Sequence, residues 1–389
     1  MSIYFDNNAT TFIDKDTEDM MHKCVNLGNP SSTNAKSIIA SKIISTFKNN
    51  ILKIVNGVDF ETIVNSGASE GNSHIIQGVV NQYWNTYKSK PHIIVSAIEH
   101  DSIGLCVDYL KQIGRCDLTK IDVGKSCIVN PSDIATIIRP NTILVSIMGA
   151  NNETGAINPI KLIGSIIKKI KPDIYFHSDM TQYFGKIPID INDLNLDFMT
   201  ASMHKVYGPP GIGIIVKRVT IEIPPLIFGT QQNFCRGGTE NIIAIGGANH
   251  ALVKMNIDHI KKMLELKNYL INELKTKFNT VWYDSVDVPE SYKGIVVLTP
   301  SKVLSICNTL LISLVGKCNI KVKKFLESKG IIVSIGSACD ATIGKSATIT
   351  SMKVPNYITS GIIRISFGKY NTITEINKLI KYIKKIINE

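Results

Sequence analysis

Lys205 lies in Ser202-Met203-His204-Lys205-Val206-Tyr207-Gly208-Pro209-Pro210-Gly211, between an apolar stretch (Asp197 to Ala201) and a Gly/Pro-rich turn. Asp179 stands 26 positions upstream, in His177-Ser178-Asp179-Met180-Thr181-Gln182, and Cys339 lies far downstream, in Gly336-Ser337-Ala338-Cys339. A lysine amine can form a Schiff base with a carbonyl. An aspartate can keep a pyridinium nitrogen protonated, and a cysteine can act as a nucleophile. Together these three residue types describe pyridoxal phosphate chemistry with a thiol attached.

Other polar clusters surround them. Asn65-Ser66-Gly67-Ala68-Ser69-Glu70 ends an apolar run and opens a helix with Ile75, Ile76, Val79 and Val80 on its core face. Small residues at a helix start leave backbone N–H groups and the positive dipole end open to a phosphate. Glu99-His100-Asp101-Ser102 and Asn151-Asn152-Glu153-Thr154-Gly155 each follow a predicted strand, as do Asp179 and Gln182. Strand C-termini are where α/β sheets bind ligands, and His100 is placed to stack on a planar ring there. Two Gly-Lys-Ser tripeptides are not Walker A loops, because Cys339 and Thr119 stand where the leading glycine is required.

The elements that must position these residues alternate. His92 to Ser96, Thr142 to Ile147 and Asp173 to His177 read as buried strands, and Ile160 to Ile170 as an amphipathic helix between them. This β/α alternation predicts a mostly parallel sheet covered on both faces. Asn241 to Phe278 reads as long helical material. Beyond it, strand candidates at 294–298, 310–315, 331–335 and 362–367 form a second domain. Its last helix opens with the capping box Thr372-Ile373-Thr374-Glu375.

Composition narrows the function classes. Hydrophobic residues make up 44% and charged residues 19% of the 389, which suits a compact chain with a large and a smaller domain. No apolar run reaches the roughly 18 residues of a membrane span. Residues 1–8 show no basic segment leading into an apolar core, so a cytoplasmic location is expected. The cysteines show no CxxC pairs and read as reduced thiols, and no metal site is expected. The net charge of +11 raises nucleic acid as a partner. Arginine, the residue of base reading, is confined to Arg115, Arg139, Arg218, Arg236 and Arg364, so nucleic-acid binding is not expected.

Ten segments in order carry a family resemblance: Asp6-Asn7-Asn8-Ala9-Thr10-Thr11, Asn29-Pro30-Ser31-Ser32, Ser66-Gly67-Ala68-Ser69-Glu70, Glu99-His100, Ala150 to Gly155, His177-x-Asp179-x-x-Gln182, Ser202-x-His204-Lys205, Arg236-Gly237-Gly238-Thr239, Gly336 to Cys339, and Ile363-Arg364-Ile365-Ser366. Together they resemble the NifS/IscS-type cysteine desulfurases, fold-type I pyridoxal phosphate enzymes. The resemblance implies an α/β fold, with a mostly parallel seven-stranded sheet between helices in a large domain (15–245) and a smaller α+β domain (1–14 and 246–389) that carries the cysteine loop.

It also implies residue roles. Lys205 would carry the cofactor as the internal aldimine and shuttle the α-proton. His100 would stack on the ring, Asp179 would pair with the ring nitrogen, and Gln182 would bond the phenolic oxygen. Ala68, Ser69, Ser202 and His204 would hold the phosphate, with Thr239 reaching it from the partner subunit of a homodimer. Asn152 and Arg364 would hold the substrate carboxylate. Cys339 would take sulfur from L-cysteine as a persulfide, helped to ionise by Lys345 or His100, and pass it to an acceptor such as an iron–sulfur scaffold.

Some residues depart from that pattern. Asp340, Pro210, Met180 and Asn34 replace more familiar residues. Asp101, a candidate substrate contact, stands in Glu-His-Asp-Ser-Ile, which is similar to the selenocysteine lyases. That implies L-selenocysteine as an alternative substrate. An inactive scaffold with the same fold is a further alternative.

Overall fold

The computed structural model describes residues 2–335 and 346–388. Seven strands form the main sheet in the order Phe60–Asn65, Gly213–Arg218, Phe198–Ser202, Tyr175–Asp179, Thr142–Ser146, His92–Ser96, Asp117–Ile121. Only Gly213–Arg218 runs against its neighbours, pairing antiparallel with the strands on both sides. The sheet is therefore mostly parallel, as the β/α alternation requires.

Side-chain alternation fills both faces. Ile63, Ile93, Val95, Phe198 and Ile215 pack under the helices Ala68–Tyr87 and Asp101–Gln112. Val64, Ile94, Met199, Ile214 and Val216 pack on the other face against Phe47, Ile163 and Ala248. Burial on both faces explains why these strands read as continuous apolar runs. The helix Ile160–Ile170 forms as its spacing predicts, burying Ile160, Ile163, Gly164 and Ile167.

The stretch 241–278 is two helices rather than one, Ile242–Val253 and Ile257–Lys277. Each has its own start signal. The Asn241 side chain accepts from Ala244 N, and the Asn256 side chain accepts from Asp258 N. The second asparagine, a strong cap, interrupts what periodicity alone would run through.

A four-stranded sheet follows, ordered Ile362–Ser366, Thr309–Leu314, Ile295–Val297, Thr280–Trp282. Its last helix, Ile373–Asn388, shows the reciprocal cap: Thr372 N donates to Glu375 Oε2 at 3.0 Å and Glu375 N to Thr372 Oγ1 at 3.3 Å. The N-terminal strand Ile3–Tyr4 pairs in parallel with Ile331–Ile332. Ile3 and Phe5 share a core with Leu270, Leu310, Ile363 and Ile380.

Candidate active site

Four parallel strands end at one cavity of about 430 Å³. Its lining includes His100, Met148, Asp179 and Ser202, all at or just after strand ends. The N-terminus of the helix Ala68–Tyr87 contributes Ser66 to Ser69, and the smaller domain contributes Arg364. Residues separated by almost the whole chain therefore share one wall.

Lys205 ends a short 3-10 turn, Met203–Lys205, directly after the strand Phe198–Ser202. Its Nζ donates to the backbone oxygens of Asn8 at 2.7 Å and Ala9 at 2.6 Å. Burial pushes the amine down to about 8; Arg364 adds to the shift, and Asp6 and Asp179 oppose it. At neutral pH the amine thus loses its proton far more readily than an ordinary lysine. The preceding His204, held by Thr10 Oγ1 at 3.1 Å, is pushed down to about 4 by burial and by Lys205, so its ring is neutral.

Asp179 is buried at the end of its strand. Asn72 Nδ2 donates to its Oδ2 at 2.8 Å and Thr181 N to its Oδ1 at 2.9 Å. Asn72 is fixed in turn by Thr200 Oγ1 at 2.6 Å, and its Nδ2 also reaches Ser102 Oγ at 2.9 Å. Donors on both oxygens fix the orientation of the carboxyl group.

The exposed His100 caps the helix Asp101–Gln112, and its Nδ1 accepts from Ser102 N at 3.1 Å. An accepting Nδ1 puts the proton of the neutral ring on Nε2. Beside it, Glu99 is fully buried, held by Ser96 Oγ and Met148 N on Oε1, while its Oε2 has no partner. Burial pushes its carboxyl up to about 8, so it is protonated at neutral pH.

Arg364 sits inside the strand Ile362–Ser366 with 6% of its surface exposed. Its Nη1 donates to Asn152 O at 3.0 Å and its Nη2 to Asp6 Oδ1 at 2.7 Å, while Nε has no partner among the described residues. A guanidinium with one edge unmet suits a carboxylate. Asn152 also lines the cavity. Gln182 lies opposite, its Nε2 donating to Asn8 O at 3.1 Å and its Oε1 accepting from Lys186 Nζ at 2.9 Å.

The structure thus brings together Ala68, Ser69, His100, Asn152, Asp179, Gln182, Ser202, His204, Lys205 and Arg364 around one cavity. Two candidates are not part of this lining. Asp101 is the exposed first residue of its helix, and Thr239 is exposed on the loop after Arg236. Cys339, Asp340 and Lys345 lie outside the described residues.

Four residues carry no role in the sequence reading: Asp6, Asn8, Asn72 and Lys186. Asp6 and Asn8 belong to a motif legible in the sequence. Asn8 acts on Lys205 through its backbone oxygen, which no side-chain pattern reveals. Its side chain binds Asn152 O at 3.0 Å and Thr309 Oγ1 at 2.7 Å, joining the two domains beneath the cavity.

Comparison with known proteins agrees with this geometry. The family described as Aminotransferase class-V matches residues 3–379. A protein of Dictyoglomus turgidum named cysteine desulfurase IscS is 32% identical over 394 residues, covering 100% of this chain and 95% of its own. A Bos taurus protein named selenocysteine lyase is 29% identical over 419 residues, covering 99% and 93%. The solved structure of a NifS-like protein superposes with a TM-score of 0.87 at 30% identity, and each chain is covered in full.

Proposed function

From the premise that the chain belongs to the class-V aminotransferase family, we propose that it is a pyridoxal phosphate-dependent cysteine desulfurase, converting L-cysteine to L-alanine with the sulfur left as a persulfide on Cys339. The observation that carries this reading is Lys205, an amine of lowered pKa at a strand end, flanked in one cavity by the carboxylate Asp179 and the half-satisfied Arg364.

The donor set fits the cofactor. The open helix N-terminus at Ala68, with Ser69, Ser202 and His204 nearby, suits a phosphate. Asp179, held in place by Asn72 and Thr181, suits a protonated ring nitrogen. Lys186 can only donate to the Gln182 amide oxygen, so the amide nitrogen is the donor side; one of its hydrogens goes to Asn8 O and the second is left for a ligand of the cavity that Gln182 lines. That N–H suits a phenolic oxygen. When bound, the cofactor supplies an electron sink for the bond broken at the substrate Cα.

The protein's own groups do the rest. Arg364 and Asn152 hold the substrate carboxylate. Lys205 moves the proton at Cα, and His100 covers the ring. The Cys339 thiolate attacks the substrate sulfur, the Cβ–S bond breaks, and Cβ gains a proton. Cysteine plus an enzyme thiol then yields alanine plus an enzyme persulfide, balanced without any added reductant. Thr239, exposed and absent from the lining of its own cavity, is proposed to reach the phosphate of the partner subunit in a homodimer. An acceptor protein such as an iron–sulfur scaffold would take the sulfur, in the cytoplasm.

The test is alanine release by purified, cofactor-loaded protein given L-cysteine or L-selenocysteine. Turnover of cysteine with a persulfide on Cys339 is expected. Turnover of selenocysteine alone would replace the reading with selenocysteine lyase. No turnover of either, with cofactor bound, would leave a scaffold.

A further inference from the structure

Lys186 is a buried cation beside the cavity, 8% exposed, and no carboxylate bonds it among the described residues. Its Nζ folds back four residues along the turn, donating to Gln182 O at 3.2 Å and to Gln182 Oε1 at 2.9 Å. The charged groups around it come from three other elements. Lys205, after the strand Phe198–Ser202, and Arg364, within Ile362–Ser366, both repel it, while the buried thiol of Cys307 faces it from the loop before Thr309–Leu314. Asp6 and Asp179 act on Lys205, and His204 is neutral. A second, smaller cavity behind the site touches both Lys186 and Lys205.

Burying an ammonium without a counter-charge is unfavourable by several kcal/mol unless another group compensates. Among the described residues the only oxygens bonded to this one belong to Gln182, which lines the main cavity and whose Nε2 keeps a second hydrogen beyond the one given to Asn8 O. An ammonium on the amide oxygen polarises the amide, making its N–H a stronger donor. The far side of that amide is therefore suited to an anionic oxygen.

We propose that Lys186 is a positioning residue for the cofactor's phenolic oxygen: acting through Gln182, it favours the ionised oxygen and holds the pH midpoint of the bound cofactor's visible absorption low. The inference rests on the reading that the cavity holds pyridoxal phosphate. Lys186 touches neither cofactor nor substrate and acts only through the amide and its charge.

The experiment titrates the visible band of cofactor-loaded protein against pH, for wild type, Lys186→Met and Lys186→Arg. Removing one positive charge behind the ring should raise the midpoint by about half a unit to one unit. Lys186→Arg should stay near wild type. Titration of the apo-protein with pyridoxal phosphate should show about tenfold weaker binding for Lys186→Met, the size of one lost charge-assisted interaction. If Lys186→Met does not fold, Lys186→Gln removes the same charge and carries the same expectation. A charge-free variant that binds cofactor with an unmoved or lowered midpoint overturns the inference, and a lower melting temperature alone would mark Lys186 as structural. If wild type forms no visible band with pyridoxal phosphate, the cofactor reading fails first, and this inference with it.

Discussion

The two ends of the seven-stranded sheet treat buried charge in opposite ways. At the N-terminal end, Asp197 stands just before the strand Phe198–Ser202 and is fully matched: Lys168 at 2.6 Å, Arg218 at 3.3 Å and Phe176 N at 2.7 Å. Lys168 spends its remaining donors on Ile174 O and Pro172 O. At the C-terminal end, among the described residues, Lys205 and Lys186 bond only neutral oxygens, Arg364 Nε has no partner, and neither does Glu99 Oε2. One end is finished by the fold. The other is left incomplete, and incomplete buried polar groups are where a ligand gains most from binding.

The comparison breaks most visibly at Lys205. Lys205→Ala should abolish the visible cofactor band and lower alanine release by more than about a thousandfold, while leaving the denaturation midpoint near wild type. At the opposite end Asp197→Asn should do the reverse. It strands Lys168 and Arg218, costing about 3 kcal/mol of stability by chemical denaturation, with KM for cysteine unchanged. A change in KM there would erase the distinction between the two ends.

Asp6 sharpens the contrast, because it is the one carboxylate paired with Arg364. The same guanidinium is proposed to receive the substrate, so Asp6 competes with the incoming carboxylate. Asp6→Asn should lower KM for cysteine about threefold to tenfold, with kcat within about a factor of two. A raised KM would instead make Asp6 a support for Arg364.

The smallest effect is one of pH. Lys205 is pushed down to about 8 in the folded apo-protein, below its ordinary 10.5. Between these values the unfolded chain binds more protons than the folded one, so this group makes stability rise with pH across that window. The penalty of burying its charge is fully present below about 8 and is relieved above it. Lys205→Met should reduce the slope of apo-protein stability against pH between about 8 and 10.5 by the share of one proton, read from denaturation at several pH values. An unchanged slope would mean that the amine is as well compensated as Lys168.

Much of this was open to reading in the sequence because it is local. Alternating β and α patterns, polar clusters closing successive strands, and the Thr372–Glu375 box each depend on residues within a few positions, and each forms. The break at residues 254–256 is also local, but the apolar periodicity on either side masks it. The carbonyl pair that holds Lys205 was not open to reading: Asn8 O lies 197 positions away, and a backbone oxygen is common to every residue type. Lys186 is equally silent in sequence, where a lysine reads as surface by default. Its burial becomes visible only once the strand Ile362–Ser366 and the N-terminal arm close over the turn that carries it.

The sequence by itself determined the α/β alternation, the order of the motifs, and which side chains could form a Schiff base, hold a ring nitrogen or clasp a carboxylate, since these depend on residue type and short spacing. Only the tertiary structure decided which charges go unmatched. That Arg364 meets Asp6 while Lys205 and Lys186 meet only neutral oxygens among the described residues is set by elements brought together across nearly the whole chain. Burial then turns the missing partners of the two lysines into lowered amine pKa values.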